Sequence, residues 1–244
     1  MRNMFVKRVN WAAGAMKRFY ELSKQYYDID DSAGYFLDLG ANIGTTGIYF
    51  LKKFTPNLKL LAFEPDSENF KMLRMNIILN DMESTSTFVN CGLGEKLEEL
   101  TLFRGLSNPG GNSMLKPGEN KPTETIKIIP LDSYLIENKI PTTEIKYIWV
   151  DTEGFESRVL LGAKNLIKEK PLPIFMECNL RAWDESGLFE EMMTLLSENY
   201  SHFIHFFHGE TLYPLEELRT MERPTNNILG QIGDIFLIKK GAID

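Results

Sequence analysis

Cysteine is scarce in this sequence, with Cys91 and Cys178 the whole complement in 244 residues. They form no C-x-x-C pair and fall near the ends of different predicted strands, so the expectation is two buried free thiols in a reducing compartment, not a disulfide scaffold. Histidine is nearly as rare, at three residues. His202, His205 and His208 tempt a zinc assignment. On a strand, however, the middle ring points to the opposite face, and on a helix the same spacing spreads the three around the axis. Only His208, beside Gly209 at a predicted strand end, is placed to serve as a base of near-neutral pKa, with a structural role as its alternative. Positive charge is in deficit: 27 Lys and Arg against 34 Asp and Glu leave a net charge of -7. That argues against a nucleic-acid surface, which needs clustered cations to displace counterions, and leaves a small neutral or cationic partner easier to accommodate. No run approaches the roughly 18 apolar residues of a bilayer-spanning helix, and the N-terminus has no signal-like apolar core. The expectation is a cytoplasmic chain without a transmembrane segment.

A hydrophobic content of 43% is enough for a sizeable core, and the length suits one α/β domain with decorations. Residues 1–30 read as an amphipathic helical segment ahead of a domain over 31–244. Phe5, Val9, Ala12, Met16, Phe19, Tyr20 and Tyr26 recur at three- and four-residue steps, with a mostly basic opposite face. Such a helix either docks on the domain or makes peripheral contact with a membrane surface or an anionic partner. Beyond it, strands predicted at 35–37, 58–63, 85–91, 145–151, 173–178, 202–208 and 234–239 alternate with helices at 66–79, 155–168 and 186–199. That rhythm predicts a doubly wound, mostly parallel seven-stranded sheet. The runs Thr101–Phe103 and Ile126–Ile129 form a candidate inserted hairpin around a Gly/Pro/Asn-rich stretch, 105–123, read either as an acceptor-site loop or as a surface excursion.

The most informative stretch is Phe36 to Gly44, Phe-Leu-Asp-Leu-Gly-Ala-Asn-Ile-Gly. It reads as strand, tight turn and helix, and the following strand closes on Glu64, whose carboxylate can accept hydrogen bonds from both hydroxyls of a ribose. The glycines fall at 40, 44 and 47 with Asn42 between them. That is not the G-x-G-x-x-G spacing that holds a pyrophosphate on helix amides. S-adenosylmethionine has no phosphate; its ammonium suits Asp38 at the strand end and its carboxylate suits the helix amides. Asp38, Gly40, Asn42, Gly44 and Glu64 are therefore the cofactor candidates. An NAD-dependent Rossmann oxidoreductase and a non-catalytic module of the same fold stay open as rivals.

These residues resemble the FkbM-type S-adenosylmethionine-dependent methyltransferases. The resemblance rests on four blocks in order: Asp38 to Gly44; Phe63-Glu64-Pro65 with Asn69; Asn90-Cys91-Gly92-Leu93-Gly94; and Asp151-Thr152-Glu153-Gly154-Phe155-Glu156 leading to Gly162. It implies a class I methyltransferase fold, adds Pro65, Asn90 and Cys91 to the cofactor set, and implies methylation of a hydroxyl on a sugar or other small-molecule scaffold. Cys91-Gly92 stands where the family is expected to carry a small, Ala-like pair.

In an open parallel sheet, ligands lie beyond the carboxyl ends of the strands, so polar residues that close an apolar run take priority. Asp151 is the first candidate for the base that takes the acceptor's proton, Glu153 the second, and His208 the third. Glu156 reads as an acid favoured by the first turn of a helix. Asp151 and Glu177, with Glu153, could instead converge on Mg²⁺.

Overall fold

The computed structural model describes residues 13–103, 123–206, 209–223 and 233–243. Helix α1 (Ala13–Tyr26) leads into strand β1 (Tyr35–Leu39), helix α2 (Thr45–Lys53), strand β2 (Lys59–Phe63), helix α3 (Ser67–Leu79) and strand β3 (Ser86–Val89). After an inserted sheet come helix α4 (Leu131–Glu137), strand β7 (Ile145–Val150), helices α5 (Glu156–Leu161) and α6 (Lys164–Glu169), and strand β8 (Ile174–Cys178). Helices α7 (Leu180–Glu185) and α8 (Phe189–Asn199) then precede β9 (Tyr200–His205), β10 (Leu212–Pro214) and β11 (Gly233–Lys239).

The main sheet has eight strands in the order β10-β9-β11-β8-β7-β1-β2-β3. The seven expected strands are all there, and β10 is a short addition at the edge. From β3 across to β8 every pairing is parallel, whereas β11 runs antiparallel to both its neighbours, β8 and β9. The chain steps outward from β1 to β2 and β3 in one direction and from β7 to β8 in the other. Right-handed crossovers therefore lay the two sets of helices on opposite faces, and the β1/β7 junction becomes the crevice where such sheets bind ligands.

Alternation explains the core. Phe36 and Asp38 share one face of β1, and their register partners Tyr147 and Trp149 share it on β7. Phe19 of α1 fills this face, its ring 5.5 Å from Trp149, 5.6 Å from Phe50 of α2 and 5.8 Å from Phe236. The apolar stripe of α1 from Met16 to Leu22 is thus buried against the sheet. Phe5, Val9 and Ala12 lie outside the described residues.

Three further departures from the sequence expectation have local causes. The helix expected over 155–168 is two helices, α5 and α6, parted at Gly162. A Cβ there would stand 2.1 Å from the carbonyl oxygen of Gly94, so the backbone of the second sheet presses into the helix at that point. The helix expected from residue 186 begins at Phe189, because Gly187 takes a left-handed φ of 72° and separates it from α7. Strands β5 (Glu98–Phe103) and β6 (Thr123–Ile129) pair antiparallel as the expected hairpin, and β4 (Gly92–Leu93) joins β6 to make three strands. Residues 104–122, nearly all of the stretch read as an acceptor-site loop, lie outside the described residues, as does His208.

Candidate functional site

At the carboxyl end of β1 the chain turns sharply. Gly40, Asn42 and Gly44 all adopt positive φ, at 91°, 51° and 83°, the region glycine tolerates best and asparagine better than most. Gly40 has a second constraint: a Cβ would lie 1.9 Å from the backbone oxygen of Asp151. The N–H groups of Gly40 and Ala41 both donate to the carbonyl of Phe63, at 3.1 and 2.9 Å, which binds the turn to the end of β2.

Two buried acids brace this corner. Asp38, 1% exposed, accepts the N–H of Gly47 on Oδ2 at 2.9 Å, while its buried Oδ1 has no hydrogen-bond partner among the described residues. Burial raises its pKa to about 7 against the pull of the Gly47 N–H, and Asp151 pushes the same way. Glu64 accepts the N–H of Asn42 on Oε2 at 2.8 Å and that of Asp66 on Oε1 at 2.9 Å. Its pKa is likewise pushed up to about 7, chiefly by burial. Asp66 in turn caps α3, accepting from the N–H groups of Glu68 and Asn69. Asn90 Nδ2 donates to the carbonyls of Glu64 and Pro65, at 2.9 and 3.1 Å. Cys91 is buried beside it, its thiol pushed up to about 12 by burial and so kept neutral. The structure thus links Asn42, Glu64, Pro65 and Asn90 by hydrogen bonds and Gly40 to the adjoining Phe63, with Asp38 beneath the turn and Cys91 next in chain.

The second half of the site follows β7. The N–H of Asp151 bonds the carbonyl of Leu39 at 3.0 Å, so the ends of β1 and β7 are tied together. Burial raises the half-buried Asp151 carboxyl to about 6. Glu153 and Gly154 both have positive φ, 53° and 97°. Fully buried Glu156 holds this turn in shape: Oε1 accepts from the Thr152 N–H at 3.2 Å, the Thr152 hydroxyl at 3.0 Å and the Gly154 N–H at 2.9 Å. It is more than an acid favoured by its own helix; it fixes the loop that carries Asp151 and Glu153. The pKa of Glu177 is also raised, by burial first and then by the charges of Glu156, Asp151, Glu153 and Asp234.

Asp234 was not among the residues singled out from sequence. It is the register partner of Glu177, and burial, followed by the charge of Asp151, raises it to about 7. Its signal was reversed: β11 is antiparallel, so the residue at the ligand edge opens the apolar run instead of closing it. His202 and His205 lie on β9, with Nδ1 of His202 3.0 Å from the Ser201 hydroxyl and His205 packed on Tyr213 at 5.0 Å.

The Mg²⁺ set is not assembled. Among the described residues no three His, Cys, Asp or Glu side chains are grouped so as to hold a metal ion. The carboxylates feel one another's charge, but Glu156 turns Oε1 to Thr152 and Gly154, and Asp151 and Glu177 gain no third ligand. The same described residues contain no helix long and apolar enough to cross a membrane.

Residues 38–202 match the family described as the methyltransferase FkbM domain. The chain belongs to that family. It is 26% identical over 201 residues to methyltransferase sdnD of Sordaria araneosa, covering 70% of this chain and 76% of that protein. It is 30% identical over 159 residues to methyltransferase 1 of Beauveria bassiana, covering 56% and 61%. In fold it is similar to the crystal structure of methyltransferase FkbM from Methylobacillus flagellatus, at 19% identity and a TM-score of 0.53, covering 86% of this chain and 44% of that one. The chain thus spans less than two thirds of the second relative and less than half of the solved FkbM structure. FkbM family membership gives no support to the NAD oxidoreductase reading.

Proposed function

We propose that this FkbM-family protein is an S-adenosylmethionine-dependent O-methyltransferase whose acceptor is a hydroxyl on a sugar or another small-molecule scaffold. One observation carries the reading: a glycine-rich turn after β1 that is hydrogen-bonded through Asn42 to the acid ending β2, with no diphosphate-type glycine spacing. The residues fit the cofactor. Asp38 offers an ammonium a buried oxygen that has no partner among the described residues, and Glu64, which already accepts two backbone N–H groups and the Asn69 side chain, would meet the ribose hydroxyls with its remaining acceptor capacity. Pro65, Asn90 and Cys91 would form the wall beside the nucleoside.

When bound, S-adenosylmethionine supplies an electrophilic methyl group on a sulfonium. The chain's own task is then to align an oxygen in line with that carbon, exclude water and take a proton as the carbon–oxygen bond forms. Asp151 is the proposed base. Raised to about 6, its conjugate acid is closer to the working pH than that of an ordinary aspartate near 3.9, while the group stays largely ionised at neutrality. Glu153 on the same turn is the second candidate, and Glu177 and Asp234 give the acceptor side an acidic lining. His208 is retained as a third candidate base.

The test is a calorimetric titration with S-adenosylhomocysteine, followed by methyl-transfer assays on sugars, glycosides and polyketide alcohols. Micromolar binding of S-adenosylhomocysteine with turnover of a hydroxyl-bearing acceptor is the expected result. Absence of S-adenosylhomocysteine binding to the folded protein would reject the cofactor assignment; binding with turnover of amine or thiol acceptors alone would reject O-methylation.

A further inference from the structure

The amino edge of the parallel strands, remote from Asp151 and Glu177, holds a second polar feature. Tyr27, Lys146, Lys170, Pro171, Leu172 and Lys239 line a cleft of about 210 Å³. Lys146 lies near the start of β7, Lys170 to Leu172 lead into β8, and Lys239 ends β11, which runs the other way. All three ammonium groups therefore reach the same edge. Strands of five or six residues separate it by roughly 17–20 Å from the acidic carboxyl edge.

The three lysines are half-buried, and none forms an ion pair within 4 Å with a described carboxylate. Lys170 donates to the carbonyl of Ile145 at 3.2 Å, and Lys239 lies 5.5 Å from the centre of the Tyr27 ring. Two exposed aspartates, Asp28 and Asp30, line the same cleft. Asp30 is already occupied, its two oxygens accepting the N–H and the hydroxyl of Ser32 at 2.9 and 2.8 Å. Neighbouring Asp31 is held by Lys24 at 2.7 Å and by the hydroxyl of Tyr147 at 2.7 Å. Burial lowers the pKa of Lys170, and the charge of Lys146 lowers it further. In a protein of net charge -7 this one concavity thus gathers three cations against two aspartates, one of which is already engaged by Ser32.

We propose that this cleft binds a phosphate group, either free or on a small phosphorylated metabolite. With one N–H of Lys170 spent on Ile145, the three ammonium groups present up to eight N–H donors and suit a dianion with several acceptor oxygens better than a carboxylate with two. The Tyr27 ring, Pro171 and Leu172 give an apolar wall against which an organic remainder can rest. The site is separate from the proposed cofactor corner and does not depend on that reading.

The experiment is isothermal titration calorimetry of the full chain in phosphate-free buffer at neutral pH, with inorganic phosphate, glucose 6-phosphate and glucose as separate titrants. Saturable one-to-one binding of at least one phosphate compound, with none of glucose, is expected. Tighter binding of glucose 6-phosphate assigns the site to a phosphorylated metabolite, and equal or tighter binding of inorganic phosphate assigns it to the free ion. Lys146→Gln and Lys239→Gln, each checked for folding by circular dichroism, are expected to weaken binding about tenfold or more. Lys53→Gln, on the exposed side of α2, is expected to leave it unchanged. No saturable heat with either phosphate compound up to about 50 mM, a range that covers weak millimolar sites, overturns the proposal. So does wild-type affinity in both folded cleft variants.

Discussion

Removing the Glu64 carboxylate leaves the N–H groups of Asn42 and Asp66 without acceptors in a buried corner, and under the proposed function it also removes the partner of two ribose hydroxyls. Glu64→Ala is expected to weaken S-adenosylhomocysteine binding by roughly 1.5–3 kcal/mol and to cost about 1–3 kcal/mol of stability. Calorimetry well below the melting temperature reads the first and chemical denaturation the second; wild-type affinity in the folded variant would remove Glu64 from the cofactor site. Asp151 makes a different prediction. A base must be ionised, so kcat should rise with pH through about 6, where the folded Asp151 titrates, and level off above it. Asp151→Asn is expected to lower kcat by about 10²-fold or more with S-adenosylhomocysteine affinity retained; near-normal turnover at saturating substrates would move the search to Glu153 and His208. Asp38, Glu64, Asp151 and Glu177 were legible because each closes, or nearly closes, the apolar run of a parallel strand. Asp234 was hidden by the reversed direction of β11, and the grip of Glu156 on Thr152 and Gly154 was hidden because it depends on a fold-back that spacing alone does not record.

Elements meet most tightly where the turn after β1 touches the end of β7. Gly40 has positive φ and would drive a Cβ into the Asp151 backbone, whereas a Cβ on Gly44 would meet side-chain atoms alone, the nearest being the Cδ1 of Leu73 at 2.5 Å and that of Ile48 at 3.1 Å. Gly40→Ala is therefore expected to be the more damaging change. Positive φ costs each variant on the order of 1–3 kcal/mol, and Gly40→Ala must in addition push β1 and β7 apart. Urea denaturation of the two variants checks the order, and equal losses would contradict the account of the junction. At this scale the sequence was legible wherever a run was long and periodic: β1, β2, β7 and β8 are apolar in continuous stretches, and α3 carries an Asp66 cap ahead of buried Leu73 and Ile77. Two-residue β4, three-residue β10 and the short helices α4 and α7 were missed because so few residues carry no period. Their conformation comes from neighbours, as when β4 takes its shape by pairing with β6.

Across the whole molecule, acids whose pKa is raised by burial set the response to pH. Asp38, Glu64 and Asp234 have folded pKa values near 7 and Asp151 near 6, all above the 3.9–4.3 typical of unfolded chains. The folded protein therefore binds protons that the unfolded chain has released, a contribution fully present below about pH 4 and lost as pH rises through about 6 to 7. Without ligand, the denaturation midpoint is expected to fall across that window, and Asp234→Asn to flatten the fall; a midpoint that climbs steadily from about pH 4.5 to 7.5 would contradict it. The whole-molecule topology has a temporal consequence as well. β11 lies between β8 and β9 although it follows both in the chain. During synthesis, β8 and β9 emerge from the ribosome before the strand that joins them, each with a row of backbone donors and acceptors still open. A nascent chain halted or clipped before Gly233 cannot settle into a smaller copy of the same sheet; it presents two sticky edges to other chains. Closure of the sheet must therefore wait for β11 to be made, and until then the open edges of β8 and β9 are where a growing chain is exposed to aggregation.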